Sequence, residues 1–312
     1  MTSGRHHQHT GDNTGDNTGD ADPYARDPST RDRSTHDPFT PDPFTLGPAI
    51  LFCPGDRPDR FTKAAERADA VILDLEDAVA PEAKHTARAA VAGADLDPAR
   101  TIVRLNARGS TDFDADLAAL QHTGVRYVML PKAEHPDDVS AVRAALPAVS
   151  VVALCETARG VLAAQALAAH PGVVGLMWGA EDLVASLGGT SSRGPDGRYR
   201  DVARHARSTV LLAARAHHKA AIDAIHTDIT DSPGQRAEAL DAAASGFTAT
   251  ACIHPNQVAA IRAAYTPPAE EIAWARRVLA AADQAGTGVF QFEGAMVDEP
   301  ILRHARLLIS RI

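Results

Sequence analysis

Cysteine is scarce: Cys53, Cys155 and Cys252 are the only three in 312 residues. None is spaced as CxxC and each sits inside an apolar run, so a disulfide scaffold and a zinc-thiolate site are set aside and the three read as reduced core residues. No apolar run approaches the roughly eighteen residues of a membrane span, and the N-terminus lacks the basic-then-apolar layout of a secretory signal. A soluble, cytoplasmic protein with no membrane partner is therefore expected. An excess of positive charge is missing too, since 31 Lys and Arg stand against 40 Asp and Glu for a formal net charge of −9. Such a chain is no general nucleic-acid binder, although it can still hold a local basic pocket. Neither GxGxxG after the first apolar run nor GxxxxGK[ST] occurs, so the two common nucleotide-binding loops are absent.

Aliphatic residues are nearly missing from the first 47 positions, where GDNTGDNTGD is followed by the echoes DPST, DPFT and DPFT. A stretch of this composition cannot bury enough apolar surface to offset its ordering entropy. Residues 1–47 are read as a disordered, low-complexity tail, whose eight Asp and four Arg carry −4 of the net charge. Its RHHQH cluster reads as surface histidine, because no Cys or acid stands in register to complete a metal site.

What is present is a repeating pattern. Eight short apolar runs punctuate the body: AILFCPG from 49, AVILDLED from 70, TIVRLNA from 101, YVMLPKA from 127, VVALCE from 151, VGLMWGAED from 174, AAIDAIHTDI from 220 and TATACIHP from 248. Ala-rich amphipathic stretches such as PEAKHTARAAV and ARHARSTVLLAARAHH lie between them and suit helices of period 3.6. Eight strand-helix alternations predict an α/β fold, a TIM (β/α)8 barrel, over 48–265. The remaining 266–312 predicts a C-terminal helical extension that packs on the barrel or on a neighbouring subunit.

Catalytic groups of a TIM barrel project from the C-terminal ends of its strands, and here those ends are polar. Strand two ends in Asp74, Glu76 and Asp77, strand three in Arg104 and Asn106, and strand four in Lys132. Strand five ends in Glu156, strand six in Glu181 and Asp182, strand seven in Asp228 and strand eight in His254. Acids gathered around one arginine, with no Cys among them, have the composition of a hard-cation site and favour Mg²⁺ or Mn²⁺ over zinc. The competing role is helix capping, which suits Asp77 and Asp137. It suits Glu156 and Arg104 poorly, because each directly follows a strongly apolar strand. Spacing alone leaves open which acids bind.

The ordered motifs LFCPGDRPDRFTKAA, AVILDLEDAV, VRLNA, VMLPKAE, ETARGVL, GAEDLVASLGG and CIHPNQV resemble the HpcH/HpaI aldolase and citrate lyase beta-subunit family, in its CitE-like acyl-CoA lyase branch, from about residue 49 onward. The resemblance implies a homotrimer or a multiple of it, one Mg²⁺ per site, and cleavage or formation of a short 3-hydroxyacyl-CoA thioester such as malyl-CoA or citramalyl-CoA. The products are an acyl-CoA and a 2-oxo acid. By motif it implies Glu156 and Asp182 as metal ligands and Arg104 as the active-site arginine; strand alternation then sets Asp74 and Glu76 on one side, beside that arginine, as catalytic groups that orient it and metal-bound water. Asp298 in GAMVDEP matches the position of an Asp that reaches a neighbouring subunit's site; by itself it could equally be the N-cap of the helix that follows. Arg57, Arg60 and Lys63, just after strand one, are the candidates for the phosphates of coenzyme A, or else charges at a solvated helix start. Two alternatives stay open: a citrate lyase beta-like subunit acting on a thioester held by an acyl carrier protein, and an aldolase for free 4-hydroxy-2-oxo acids. The Gly- and Ser-rich LGGTSSRGPDGRYRD after Asp182 is expected to form a mobile lip over the site.

Overall fold

All eight apolar runs form parallel strands in the computed structural model, which describes residues 44–286 and 288–311. They are β1 (Ala49–Pro54), β2 (Ala70–Asp74), β3 (Thr101–Arg104), β4 (Tyr127–Leu130), β5 (Ser150–Cys155), β6 (Val173–Trp178), β7 (Ala220–Asp223) and β8 (Ala249–Cys252). Each pairs with the next and β8 pairs with β1, so the sheet closes into a barrel. Around it run α1 (Pro58–Arg67), α2 (Lys84–Ala92), α3 (Phe113–Leu120), α4 (Pro136–Ala145), α5 (Ala158–Ala169), α6 (Ala180–Ser186), α7 (Asp201–Ala216), α8 (Ser232–Ser245) and α9 (Pro255–Tyr265). The fold is the expected TIM barrel. No helix among the described residues is long and apolar enough to cross a membrane.

Two-residue alternation sorts the strand residues into two cores. Ile50, Ile72, Ile102, Met129, Leu154, Met177 and Ile222 cluster inside the barrel. Leu51, Leu73, Val103, Val128, Leu176 and Trp178 belong to the larger core between strands and helices. The same parity carries past the last apolar layer, so Asp74, Arg104 and Glu156 continue the inward rows of Ile72, Ile102 and Leu154.

The start of the folded body departs from the sequence reading. Phe44 and Leu46, assigned to the tail, are 8% and 0% exposed and join the interior cluster, where Phe44 reaches the inward-facing Gly175 near the start of β6. Burying each is worth roughly 1.5–3 kcal/mol. Two apolar residues set among Pro and Thr have no period to reveal them; only the open lower end of a closed barrel gives them a place. The rest of the expected tail, 1–43, lies outside the described residues.

The extension comprises α10 (Ala269–Ala285), an antiparallel hairpin of β9 (Phe290–Phe292) and β10 (Ala295–Val297), and α11 (Glu299–Ser310). Ala275, Val278, Val297, Leu302, Ala305 and Leu308 give it a small core of its own. The hairpin is not part of the helical expectation. Its turn falls at Glu293 and Gly294, both at positive φ, in the short run FQFEGAMV.

Candidate active site

Asp74 and Arg104 are register partners at the ends of β2 and β3, so adjacency in the sheet brings them together. Arg104 donates from Nε to Asp74 Oδ1 at 2.7 Å and from Nη2 to Oδ2 at 2.6 Å, a bidentate pair that is almost fully buried. Asp74 also accepts from the backbone N–H groups of Glu76 and Ala78, which saturates it. Burial by itself would lower the pKa of the Arg104 guanidinium; its hydrogen bonds and charge contact with Asp74 outweigh that and hold it above its ordinary value. Phe52 covers the guanidinium, with the ring centre 5.0 Å away.

Glu76, two residues on and facing the same way, approaches both cations of the site. Its Oε2 lies 2.9 Å from Arg104 Nη1, an ion pair without hydrogen-bond geometry that leaves this buried oxygen with no hydrogen bond. Its Oε1 accepts from Lys132 Nζ at 2.5 Å. Burial, opposed by Arg104 and Lys132, raises its pKa. The loop that carries it is pinned from behind, because Lys84 Nζ donates to the carbonyls of Leu75 and Glu76 and to Asn106 Oδ1.

Across the barrel mouth, Glu156 follows β5 and is 2% exposed, and Asp182 sits half-buried in the first turn of α6. Gly179 makes room for Glu156: a β-carbon there would stand 2.9 Å from both Cβ and Oε2 of the glutamate. Burial first, then the charges of Asp182 and Glu76, push the Glu156 carboxyl up to about 8. Two carboxylates forced together without a full counter-charge are what a hard divalent cation relieves. No group of three or more His, Cys, Asp or Glu fit to hold a metal occurs among the described residues, so such an ion would draw the rest of its coordination from water and ligand.

These groups share one cavity of about 340 Å³. Asp74, Arg104, Glu156, Glu181 and Asp182 line its polar side; Phe52, Leu154, Met177, Ile225 and Ile253 line the rest. A second cavity of about 340 Å³ abuts it through the shared Phe52 and Ile253, and carries Arg60, Lys63, Arg67 and His254. The structure thus brings six sequence candidates to adjoining cavities, Asp74, Arg104, Glu156 and Asp182 at one and Arg60 and Lys63 at the other, while Glu76 stands behind the first, against Arg104 and Lys132. Arg57 is not among the lining residues and pairs with the exposed Asp59. Asp298 lines neither cavity of its own chain. It stands at the N-cap of α11, yet its side chain makes no capping hydrogen bond.

Several strand-end assignments change. Asp77 caps nothing; it is exposed, lines the first cavity, and lies 3.6 Å from Lys132. The cap of α4 is His135 with Asp138, not Asp137. Strand seven ends at Asp223 rather than Asp228, which instead closes its own turn by accepting from the N–H and hydroxyl of Thr230. His254 is the N-cap of α9, in a capping box with Gln257. The expected lip is anchored: Ser192 donates to Glu181, and Arg193 pairs with Glu238 and stacks on Tyr199. Lys132 went without a role in the sequence reading, although its place directly after β4 was the available signal.

Residues 49–255 match the family model described as HpcH/HpaI aldolase/citrate lyase. The chain is 56% identical over 265 residues to a citrate lyase subunit beta-like protein of Mycobacterium tuberculosis, covering 85% of this chain and 95% of that one. It is 31% identical over 291 residues to the mitochondrial citramalyl-CoA lyase of Homo sapiens, with 84% of each covered. Among solved structures, that of the protein CitE from Mycobacterium tuberculosis in complex with magnesium, acetoacetate and coenzyme A superposes with a TM-score of 0.81 at 54% identity, over 86% of this chain and 98% of that one.

Proposed function

The chain belongs to the HpcH/HpaI aldolase/citrate lyase family, and we propose that within this family of lyases it is a magnesium-dependent carbon-carbon lyase acting on a short 3-hydroxyacyl-CoA thioester of the malyl-CoA or citramalyl-CoA type. The observation that carries the reading is the meeting, in one cavity, of a bidentately held arginine and an under-neutralised pair of carboxylates. Glu156 and Asp182 would hold the ion, and the two-carboxylate set suits magnesium, which keeps much of its coordination for water and substrate. Bound there, magnesium supplies Lewis-acid polarisation of the hydroxyl and adjacent carboxylate of the substrate.

The chain's own residues do the rest. Cleavage removes the hydroxyl proton, breaks the bond between the carbinol carbon and the thioester α-carbon, and leaves the electron pair in an enolate that is then protonated. Arg104, always charged and fixed by Asp74, is aimed at the cavity to hydrogen-bond the enolate oxygen. Asp298 is the base we assign, acting at the site of a neighbouring copy in a trimeric assembly, because within one chain it lines neither cavity. Arg60 and Lys63 of the adjoining cavity suit the phosphates of coenzyme A, with Phe52 and Ile253 at the passage between them.

The experiment is to incubate the purified protein and Mg²⁺ with acetyl-CoA or propionyl-CoA paired with glyoxylate or pyruvate, and with malyl-CoA and citramalyl-CoA singly, and to follow CoA esters by chromatography. Cleavage or condensation of one set is the expected outcome. Inactivity on every set with magnesium bound overturns the reading, and activity confined to a carrier-protein thioester replaces it with the beta-subunit alternative.

A further inference from the structure

Lys132 works on the carboxylate ring from both of its ends. Its backbone N–H donates to Glu156 Oε1 at 3.1 Å, while Nζ lies 2.5 Å from Glu76 Oε1, 3.6 Å from Asp77 Oδ2 and 3.7 Å from Asp182 Oδ1. It does so at φ +50°, a left-handed conformation that a side chain with a β-carbon adopts only against steric resistance. The strain places the amine toward β2 and α6 while the same residue's N–H faces β5.

The charge balance explains why such a lysine is worth holding. Asp74, Glu76, Asp77, Glu156 and Asp182 are five carboxylates set around Arg104 and Lys132, the further Glu181 being held by Ser192, and Arg104 is already committed to Asp74 and Glu76. Lys132 is therefore the cation that Asp182 meets in this structure. A divalent ion shared by Glu156 and Asp182 would repel an ammonium at that distance, because both compete for the same oxygens.

We propose, resting on the reading of Glu156 and Asp182 as the metal pair, that Lys132 is the resident counter-ion of the site: it neutralises the ring before the metal arrives, leaves Asp182 when the metal binds, and so sets the metal affinity. It is a positioning residue, and its side chain opposes the metal while its backbone presents a metal ligand. The carboxylate ring is thereby kept intact in the metal-free protein at the cost of weaker metal binding.

The test is titration calorimetry of Mg²⁺ into the metal-free, full-length protein, for the wild type, Lys132→Met, Lys132→Arg and Glu156→Gln. Removing one positive charge this close to the ion should tighten Mg²⁺ binding by about tenfold in Lys132→Met. Lys132→Arg should stay near the wild type, and Glu156→Gln should lose binding. In the same series, metal-free Lys132→Met should melt lower by roughly 2–4 °C, because Glu76 loses a partner. Unchanged or weaker binding in Lys132→Met beside a wild type that binds overturns the counter-ion role alone; a wild type that binds no Mg²⁺ overturns the metal reading with it. If Lys132→Met does not fold, reductive methylation of the wild type read by mass spectrometry decides instead. Lys132 should be modified several-fold faster with saturating Mg²⁺ than without, and an equal rate overturns the proposal.

Discussion

Two arginines in this barrel, one buried and one half-buried, look alike and do different work. Arg104 grips Asp74 at the end of β2, and Arg207 of α7 grips Asp223 at the end of β7, each with two short hydrogen bonds to one carboxylate. Parity separates them. Asp74 follows the inward row of Ile72, whereas Asp223 falls in the outward row of Ala221 and points at the helices. Around Arg207 everything is matched: Asp223 also accepts from Trp178 Nε1 at 2.6 Å, Asp241 takes the remaining face of the guanidinium, and Phe247 stacks on it. Around Arg104 the accounts do not close, since Glu76 Oε2 lacks a hydrogen bond and Glu156 is crowded by Asp182. A buried ion pair by itself is weak evidence of function; residual, uncompensated charge facing a cavity is the sign that separates the pair proposed for catalysis from the structural one.

The sharpest way to break that comparison is to disable each cluster and read activity and stability together. Glu156→Gln should lower kcat by about 10³-fold while the metal-free protein becomes no less stable, because a crowded carboxylate has been relieved. Arg207→Met should do the opposite, destabilising by about 3–5 kcal/mol through the stranded Asp223 while the folded fraction keeps its kcat within a few-fold. Steady-state kinetics and denaturant unfolding check both, and an inactive but stable Arg207→Met would erase the distinction.

Asp298 extends the comparison to a group that makes no cap bond and lines neither of the two described cavities. Asp298→Ala should cost about 10²-fold in kcat, within the range of a lost general base. Mixing it with Glu156→Ala under conditions of subunit exchange should restore activity through hybrid sites, whereas exchange without rescue overturns the assignment of Asp298 to a neighbour's site.

The uncompensated cluster should also make the metal-free protein sensitive to pH. Glu156 has a folded-state pKa raised from 4.5 to about 8, so the proton is held more tightly in the folded chain. Its stabilising contribution is complete below about pH 4.5 and is lost as pH rises through about 8, so the metal-free protein should melt progressively lower between about pH 5 and 8. In Glu156→Gln that slope should flatten, as thermal melts across the range would show. The smallest effect belongs to the adjoining basic cavity, where Arg60→Ala with Lys63→Ala should raise KM for the CoA ester by about 5–10-fold and leave kcat alone.

Much of the site was legible before any coordinates. Asp74, Arg104 and Glu156 could be found because each ends an apolar run, and a strand's alternation fixes which of its residues face together. The same logic overreached at AAIDAIHTDI: the run looks continuous to Asp228, but the chain leaves the sheet after Asp223, and composition does not mark where hydrogen bonding stops. Phe44 and Leu46 escaped notice for the complementary reason, being too few to form a pattern. Lys132 was visible as a residue and silent as a role, since nothing in YVMLPKA tells that its amine will meet Glu76, which lies 56 positions away.

Determined by sequence alone are the eight-fold alternation, the gathering of polar residues at the strand ends, and the lack of the common zinc-thiolate and nucleotide-loop spacings. These are local properties, carried by side-chain period and residue type. Tertiary structure decided which acid faces which cation: that Asp74 takes Arg104 in a bidentate pair, that Lys132 stands among Glu76, Asp77 and Asp182, and that Asp223 turns away toward Arg207. The reason is that ionisation and ion pairing depend on distance and burial. Closing the barrel sets both, by bringing the ends of β2, β3, β4, β5 and β6 into one ring.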